Sequence, residues 1–526
     1  MSSALSLLGH GRRTGWVFRR ALRQNPSPKV KTHCSATHTA RGKALPARSE
    51  PGMCVILADL LLLSSRLQYR CLTICEHGYA DPAEWWLESD QLPAYSSQVD
   101  LQGDAHATVD QSIDEISPQL HTLSLKIHGT QARSYSVMSA HIVPMQVTLR
   151  SHSRKSWCHW FPCARMLISP RFAHEHLASF MASQGFAVTR SYLGLKTAFR
   201  AEFQHGSGGR VIGVNSEYDA LAGIGHACGH NLIAVSGCAV AIALKKALQA
   251  HNIPGKVILL GTPAEEGGGG KIILLERGGY EEMDLCVMCH PSGGPIKSAN
   301  LGSTIGVQVI QVEYFGQNAH AGAAPWDGVN ALDAAFLAYS NISALRQQMR
   351  PDHRVHGVIT GNDNWLPNVI PDYAKMNCLA RAPTDVDLAA FVERVTNCLK
   401  AAAMATGCEF KLTLAEPYLD LKQNPILGQE FADVVAKRYG IETSTTPGTA
   451  STDFGNVTYA LPGLHPGFAI PTQPGGGNHT IAFTNAAATQ EAHTAAMYIA
   501  KGLACTALRA LRDDEFFKQV KASFSA

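Results

Sequence analysis

The stretch GIGHACGHNL, residues 223–232, places Cys228 two positions before His230 among glycines. A thiolate and an imidazole are good ligands for zinc and related divalent ions. Glycine permits unusual backbone angles, so a Cys-x-His pair on such a turn can close on one ion without a helical or strand phase. Taken alone, the pair reads equally well as a buried thiol beside a hydrogen-bonded histidine. His226 stands one step off the pair and is expected to support the loop rather than bind metal. A second constellation, TPAEEGGGG, sets Glu265 beside Glu266 where the apolar run KVILLG ends. Successive side chains leaving a strand point to opposite sides. One carboxylate can then hold a metal while the other faces substrate as a general base. The alternative, a solvated acidic turn, is weakened by the apolar run before it. His290 at the end of MDLCVMCH and His479 in PGGGNHT complete the set. Five ligands, Cys228, His230, Glu266, His290 and His479, suit two divalent ions that share one of them.

Such residues need elements to position them. RVIGVNSEYDAL, KVILLGTP and MDLCVMCHP read as strands, and NLIAVSGCAVAIALKKALQAH and KIILLERGGY read as the helices between them. This alternation predicts an α/β domain with a mostly parallel central sheet flanked by helices. Ligands of such sheets bind at the carboxyl ends of strands, where the candidates lie. Within residues 303–417 the order becomes strand, helix, strand, strand, helix, strand, the split βαββαβ pattern of a ferredoxin-like unit. The expected organisation is an atypical, disordered extension over residues 1–104, a catalytic domain in two parts (105–302 and 418–526) and an inserted lid or dimerisation domain over 303–417. At the start of the first part, an amphipathic helix is predicted over 110–128, with an apolar stripe of Ile113, Ile116, Leu120, Leu123 and Leu125.

Composition removes several classes of function. A net charge of +3 on 526 residues gives no broad basic field, so nucleic acid is not an expected partner. Fourteen irregularly spaced cysteines do not form a disulfide framework. No apolar run is read as reaching the roughly 18 residues of a membrane span. The first fifty residues carry no acidic residue before Glu50, a composition that resembles a mitochondrial presequence. Cytoplasmic placement is the reading taken, with mitochondrial as the alternative.

SEYDALAGIGHACGHNLIA, GTPAEEGGGG, NAHAGAAPWDGVNALDA, NVIPD and GNHT together resemble the aminoacylase and carboxypeptidase-like family of zinc-dependent exopeptidases. They look closest to dipeptidases that cleave β-alanyl-lysine-type dipeptides. The resemblance extends over residues 171–510 and the helix before His128. It implies a zinc-exopeptidase-like catalytic domain with a ferredoxin-like lid, and a homodimer formed through that lid. It also implies two divalent ions, zinc first, with manganese or cobalt also fitting. The implied substrate is a small dipeptide or an N-acyl or aminoacyl amino acid, cleaved by metal-activated water. Residue by residue, Cys228 would be the shared ligand, with His230, Glu266, His290 and His479 completing the set. Glu265 would be the general base, Asp219 would orient the metal site from behind, and His320 would meet the oxyanion, often from a partner subunit or after lid closure. Asn368 and Arg381 would bind the substrate carboxylate, although Asn368 reads equally as a turn cap before Pro371 and Arg381 as a surface charge.

The chain departs from that family in two places. Ala222 stands where the pattern has proline. Residues 129–169 are aperiodic and replace a short family segment. They are expected to be an unremoved intron or a lineage-specific insertion, and RNA sequencing across the junction separates the two. The competing reading of the whole chain is a catalytically impaired member acting as a dimeric regulatory or scaffold protein. It would show a lost ligand or a lost base, and neither is lost.

Overall fold

The computed structural model describes residues 104–139, 168–361 and 365–525. The expected N-terminal extension, with its targeting reading, and most of the expected insertion lie outside the described residues. The chain enters through helix α1 (Asp104–Ser139) and helix α2 (Ile168–Ser183). Helix α1 starts before the predicted residue 110 and continues past His128 into the stretch read as aperiodic. Its buried stripe is Ile113, Ile116, Leu120, Leu123 and Ile127, whereas Leu125 is 40% exposed. The stripe therefore keeps strict steps of three and four, and Ile127 replaces Leu125 in it.

Strands β1 (Ala187–Arg190), β2 (Phe199–His205) and β3 (Arg210–Glu217) follow. Then come helix α3 (His230–Ala250), strand β4 (Gly255–Thr262), helix α4 (Gly270–Glu276) and strand β5 (Leu285–Val287). Strands β3 and β4 are almost continuously buried, as strands covered on both faces must be, and β4 carries an unbroken apolar run over 257–260. Helix α3 satisfies a membrane span by length and apolar composition, contrary to the sequence expectation. Its apolar surface is spent inside the protein: 89% of the qualifying window is buried, chiefly against α1 and the sheet.

Strands β6 (His290–Gly293) and β7 (Ser298–Asn300) leave this sheet. His290 therefore opens a new strand rather than closing β5. Next come strand β8 (Gly306–Phe315), helix α5 (Ala331–Leu345), strands β9 (Arg354–Thr360) and β10 (Tyr373–Ala382), helix α6 (Asp385–Thr406) and strand β11 (Glu409–Leu414). They form an antiparallel sheet in the order β11-β8-β10-β9 with its own apolar core against α5 and α6. The chain then returns through helix α7 (Pro425–Tyr439), strand β12 (Glu442–Ser444), helix α8 (Phe454–Ala460) and strands β13 (Gly463–Leu464) and β14 (Gly467–Ile470). It ends in helices α9 (Ile481–Ala486), α10 (Gln490–Arg512) and α11 (Asp514–Ser525).

The six-stranded sheet has the order β1-β2-β4-β3-β5-β13. β4, β3, β5 and β13 are parallel and the β1–β2 edge is antiparallel. One face is covered by α1, α3 and α10, and the other by the smaller cluster that includes Leu274 of α4 and Phe454 and Val457 of α8. A third sheet, β12-β7-β14-β6, was not legible from the sequence because its strands are only three or four residues long.

Candidate metal centre

The parallel strands deliver their loops to one edge. β3 ends at Glu217 and runs through Asp219 into the glycine turn of Cys228, and α3 begins at His230. β4 ends at Thr262 and runs into Glu265 and Glu266. β14 feeds the loop that carries His479. Gly229, between two candidate ligands, has φ +77°, and a Cβ there would lie 2.5 Å from the Pro291 ring. Only glycine fits both constraints. Two non-glycine residues at the same edge, Ala264 and His479, hold φ of 67° and 66°. Such conformations persist where the surroundings over-determine them, and they concentrate at functional sites.

Two groups of potential ligands share Cys228: Cys228, His230 and His290, and Cys228, Glu266 and His479. Cys228 Sγ lies 3.4 Å from His290 Nε2, and His479 Nε2 lies 3.3 Å from Glu266 Oε1. Donors on one tetrahedral zinc stand roughly 3.5 Å apart, given metal–ligand distances of about 2.0–2.3 Å. The tautomers suit the task. His290 Nδ1–H donates to the Pro291 carbonyl at 2.8 Å, leaving Nε2 as a donor to metal. His230 Nδ1 lies 3.3 Å from Asp219 Oδ1, which turns its Nε2 towards Glu265 and Glu266, each 3.9 Å away. Asp219 also accepts the Glu266 amide through Oδ2 at 3.0 Å, so one carboxylate ties two ligand loops together.

The loops are cross-linked further. The His479 amide donates to the Ala227 carbonyl at 2.8 Å, and Asn478 Nδ2 donates to Pro291 O at 3.0 Å. Tyr418 Oη donates to the Glu265 carbonyl at 3.0 Å and accepts the Gly269 amide at 2.8 Å, clamping the acidic turn. Helix α1 buttresses the glycine turn from outside: Asn231 Nδ2 donates to Ser124 Oγ at 2.9 Å, and His128 stacks on His226 at 6.0 Å. His226 is buried and belongs to neither ligand group, as the sequence spacing suggests.

The electrostatics call for positive charge. Glu217, Asp219, Glu265, Glu266 and Asp453 gather here against the single ammonium of Lys271. Burial and the Glu217 charge push the Glu265 carboxyl well above the usual carboxylate range. Burial raises Glu266 likewise. Burial alone would also raise Asp219, but the hydrogen bond and charge of His230 bring it down to about 2. Hydrogen bonds to Cys228 and Glu266 lift His479 to about 10. Glu217 Oε2 and His230 Nε2 are buried and find no hydrogen-bond partner within the protein. Buried charges are paired or coordinate metals, so this donor set fits two divalent cations.

Sequence reasoning missed Glu217, Lys271 and Asp453. Lys271 Nζ is fully buried, 2.5 Å from both Glu217 Oε1 and Asp453 Oδ1. The signal was a buried strand ending in two acids at i and i+2, together with a lysine in the first turn of an apolar helix. His320 and Asn368 are not brought into the centre. They sit together on the second sheet's loops, where His320 and Val369 form an isolated bridge and the Ala321 amide donates to Asn368 O at 3.0 Å. Arg381 on β10 donates to Ser451 Oγ at 2.9 Å, two residues before Asp453.

The peptidase family M20/M25/M40 model matches residues 213–500. The Xaa-Arg dipeptidase of Mus musculus is 41% identical over 67% of this chain and 84% of its own length. The Xaa-Arg dipeptidase of Homo sapiens is 39% identical over the same shares. Among solved structures, an aminobenzoyl-glutamate utilization protein from Klebsiella pneumoniae matches with a TM-score of 0.54 at 16% identity, over 77% of this chain and 99% of that one. At that identity it speaks for the fold alone.

Proposed function

The chain belongs to peptidase family M20/M25/M40, and from that premise we propose that it is a two-metal dipeptidase whose preferred substrates end in a basic residue. The observation that carries the metal part is the pair of ligand groups joined at Cys228. The basic C-terminal residue is suggested by the Xaa-Arg dipeptidases that resemble this chain over most of their length. Cys228, His230 and His290 would hold one divalent cation, and Cys228, Glu266 and His479 the other, with zinc the first choice for a Cys/His/Glu set. Bound there, the cations supply Lewis acidity, polarising the scissile carbonyl and acidifying water.

The chain's own residues do the rest. Glu265 is 8% exposed and lies within reach of the His230 side of the centre. It takes the proton of the attacking water and passes it to the leaving amine. His320 Nδ1 accepts the amides of Gly322 and Ala323 at 3.2 and 3.1 Å. A neutral ring so held carries its proton on Nε2, as a donor to an oxyanion requires. Its exposed setting suits delivery by lid closure or to the centre of a second copy. Phe336 and Tyr339 on α5, 59% and 46% exposed, offer that copy an apolar face. Arg381 and Asn368 receive the substrate carboxylate, Arg381 from beside the Ser451 loop.

The test is a screen of purified full-length chain against Xaa-Arg, Xaa-Lys, β-alanyl-lysine, N-acyl amino acids and indole-acetyl conjugates, with metal content measured on the same sample. Hydrolysis strongest on the basic dipeptides and abolished by chelation is expected. Hydrolysis confined to acyl conjugates would reject the substrate assignment.

A further inference from the structure

Glu217 is the last residue of β3 and fully buried. It is not among the five ligands implied by the motifs, yet its Oε2 lies 3.6 Å from His230 Nε2, closer than Glu265 or Glu266 at 3.9 Å. That nitrogen is the one His230 has free for metal, because Nδ1 faces Asp219. Glu217, His230 and Glu265 form a third group whose donor atoms lie within 4.8 Å of one another. The other oxygen, Oε1, is 2.5 Å from Lys271 Nζ. Lys271 is itself fixed twice to Asp453, by its ammonium at 2.5 Å from Oδ1 and by its backbone amide at 2.9 Å to Oδ2. The side chain of Glu217 is thus held at one oxygen, while the second has no hydrogen-bond partner and points at a metal-facing nitrogen.

We propose that Glu217 is an additional anionic donor to the cation held at His230 Nε2, with the Lys271–Asp453 pair as the clamp that aims it. This rests on the two-metal reading of the centre and adds an asymmetry to it. The position served by Glu217 rests on two fully buried side chains, His230 and Glu217, whereas the other depends on His479, whose side chain is 54% exposed. The buried position therefore retains its cation more strongly, and the exposed one is the first to exchange.

The experiment loads the full chain with zinc, dialyses it against graded chelator, and measures zinc per chain alongside the melting transition. Wild type is expected to lose two zincs in two separate steps. Glu217→Gln keeps the shape of the side chain and leaves Lys271 matched by Asp453, so cooperative melting is retained. Its tighter step is expected at a chelator concentration at least ten-fold lower, with the weaker step unmoved. Two steps that coincide with those of wild type would overturn the proposal while leaving the two-metal reading intact. A wild type that never holds two zincs would remove the premise itself. If Glu217→Gln does not melt cooperatively, Glu217→Asp is read the same way: it keeps the charge beside Lys271 but shortens the reach, and unchanged retention there overturns the proposal.

Discussion

Cys228, His230 and Asp219 are 8%, 0% and 4% exposed, whereas His320 and Asn368 stand exposed on loops of the second sheet. The first set is fixed many times over: Asp219 holds His230 and the Glu266 amide, His290 is locked by Pro291 O, and α1 braces the glycine turn through Ser124. The second set is fixed by local backbone bonds, two amides on His320 Nδ1 and a single bridge to Val369. The difference teaches a division of labour. On the proposed reading, the buried edge of the parallel sheet holds the cations within a single chain, and His320 and Asn368 reach them by lid closure or from a second copy. Changes at the lid should then alter turnover and leave metal binding and stability alone.

The largest effect expected is at the buried edge. Glu265→Gln should lower kcat on the order of 10⁴-fold, the upper range for a positioned proton-transfer group, with metal content unchanged by elemental analysis. Loss of metal along with activity would make Glu265 a ligand and undo its assignment as the base.

The bracing of that edge is pH-sensitive. His493 of α10 is buried against α1, stacked on His121 at 4.7 Å and bonded to Ser117 Oγ at 3.0 Å. Burial, then the charge of His121, lowers its pKa from 6.5 to about 4. A histidine depressed in the folded state binds its proton better when unfolded. Its stabilising contribution is therefore complete above pH 6.5 and is lost as pH falls towards 4, by up to roughly 3 kcal/mol. Urea unfolding midpoints measured across that window should fall, and His493→Gln should make the fall shallower, with His226 and His465, which burial holds at about 3, supplying the rest. A slope unchanged in the variant would remove His493 from it.

At the lid, His320→Ala should lower kcat by about 10²-fold, as for loss of one oxyanion donor. Its metal stoichiometry should remain unchanged, and its melting temperature should stay close to wild type because the side chain is exposed. A stability loss comparable to that of a core substitution would break the contrast drawn above. The smallest effect belongs to Arg381→Ala and Asn368→Ala, which should raise KM roughly ten-fold, the range of one lost charge-assisted hydrogen bond of about 1.5 kcal/mol. A pure fall in kcat would place them elsewhere.

The legibility of the sequence follows the same contrast. Strand β4 and helix α3 carry long apolar runs that meet glycine-rich turns at the carboxyl end of β4 and the amino end of α3, so those loops, and the candidate ligands on them, could be placed by pattern. The split unit was legible for the same reason, since β8 and β10 are ten residues each and β10 alternates strictly between buried and less buried positions. β6, β7, β12 and β13 are too short to show a period, which is why His290 was read as the end of β5 rather than the start of a strand in another sheet. Glu217 and Asp453 were hidden differently. Each looks like an ordinary acid next to a strand or turn, and only the tertiary meeting with Lys271, which comes from a helix between them in sequence, makes them a buried cluster. The extent of α1 past His128 was missed because its continuation carries no apolar stripe.

The most direct test of the central claim is a zinc titration of the metal-stripped full-length chain while hydrolysis of an Xaa-Arg dipeptide is followed. The account predicts no measurable hydrolysis without metal and a rate that saturates as two equivalents bind. Full-rate hydrolysis by chain that binds fewer than two equivalents would contradict it.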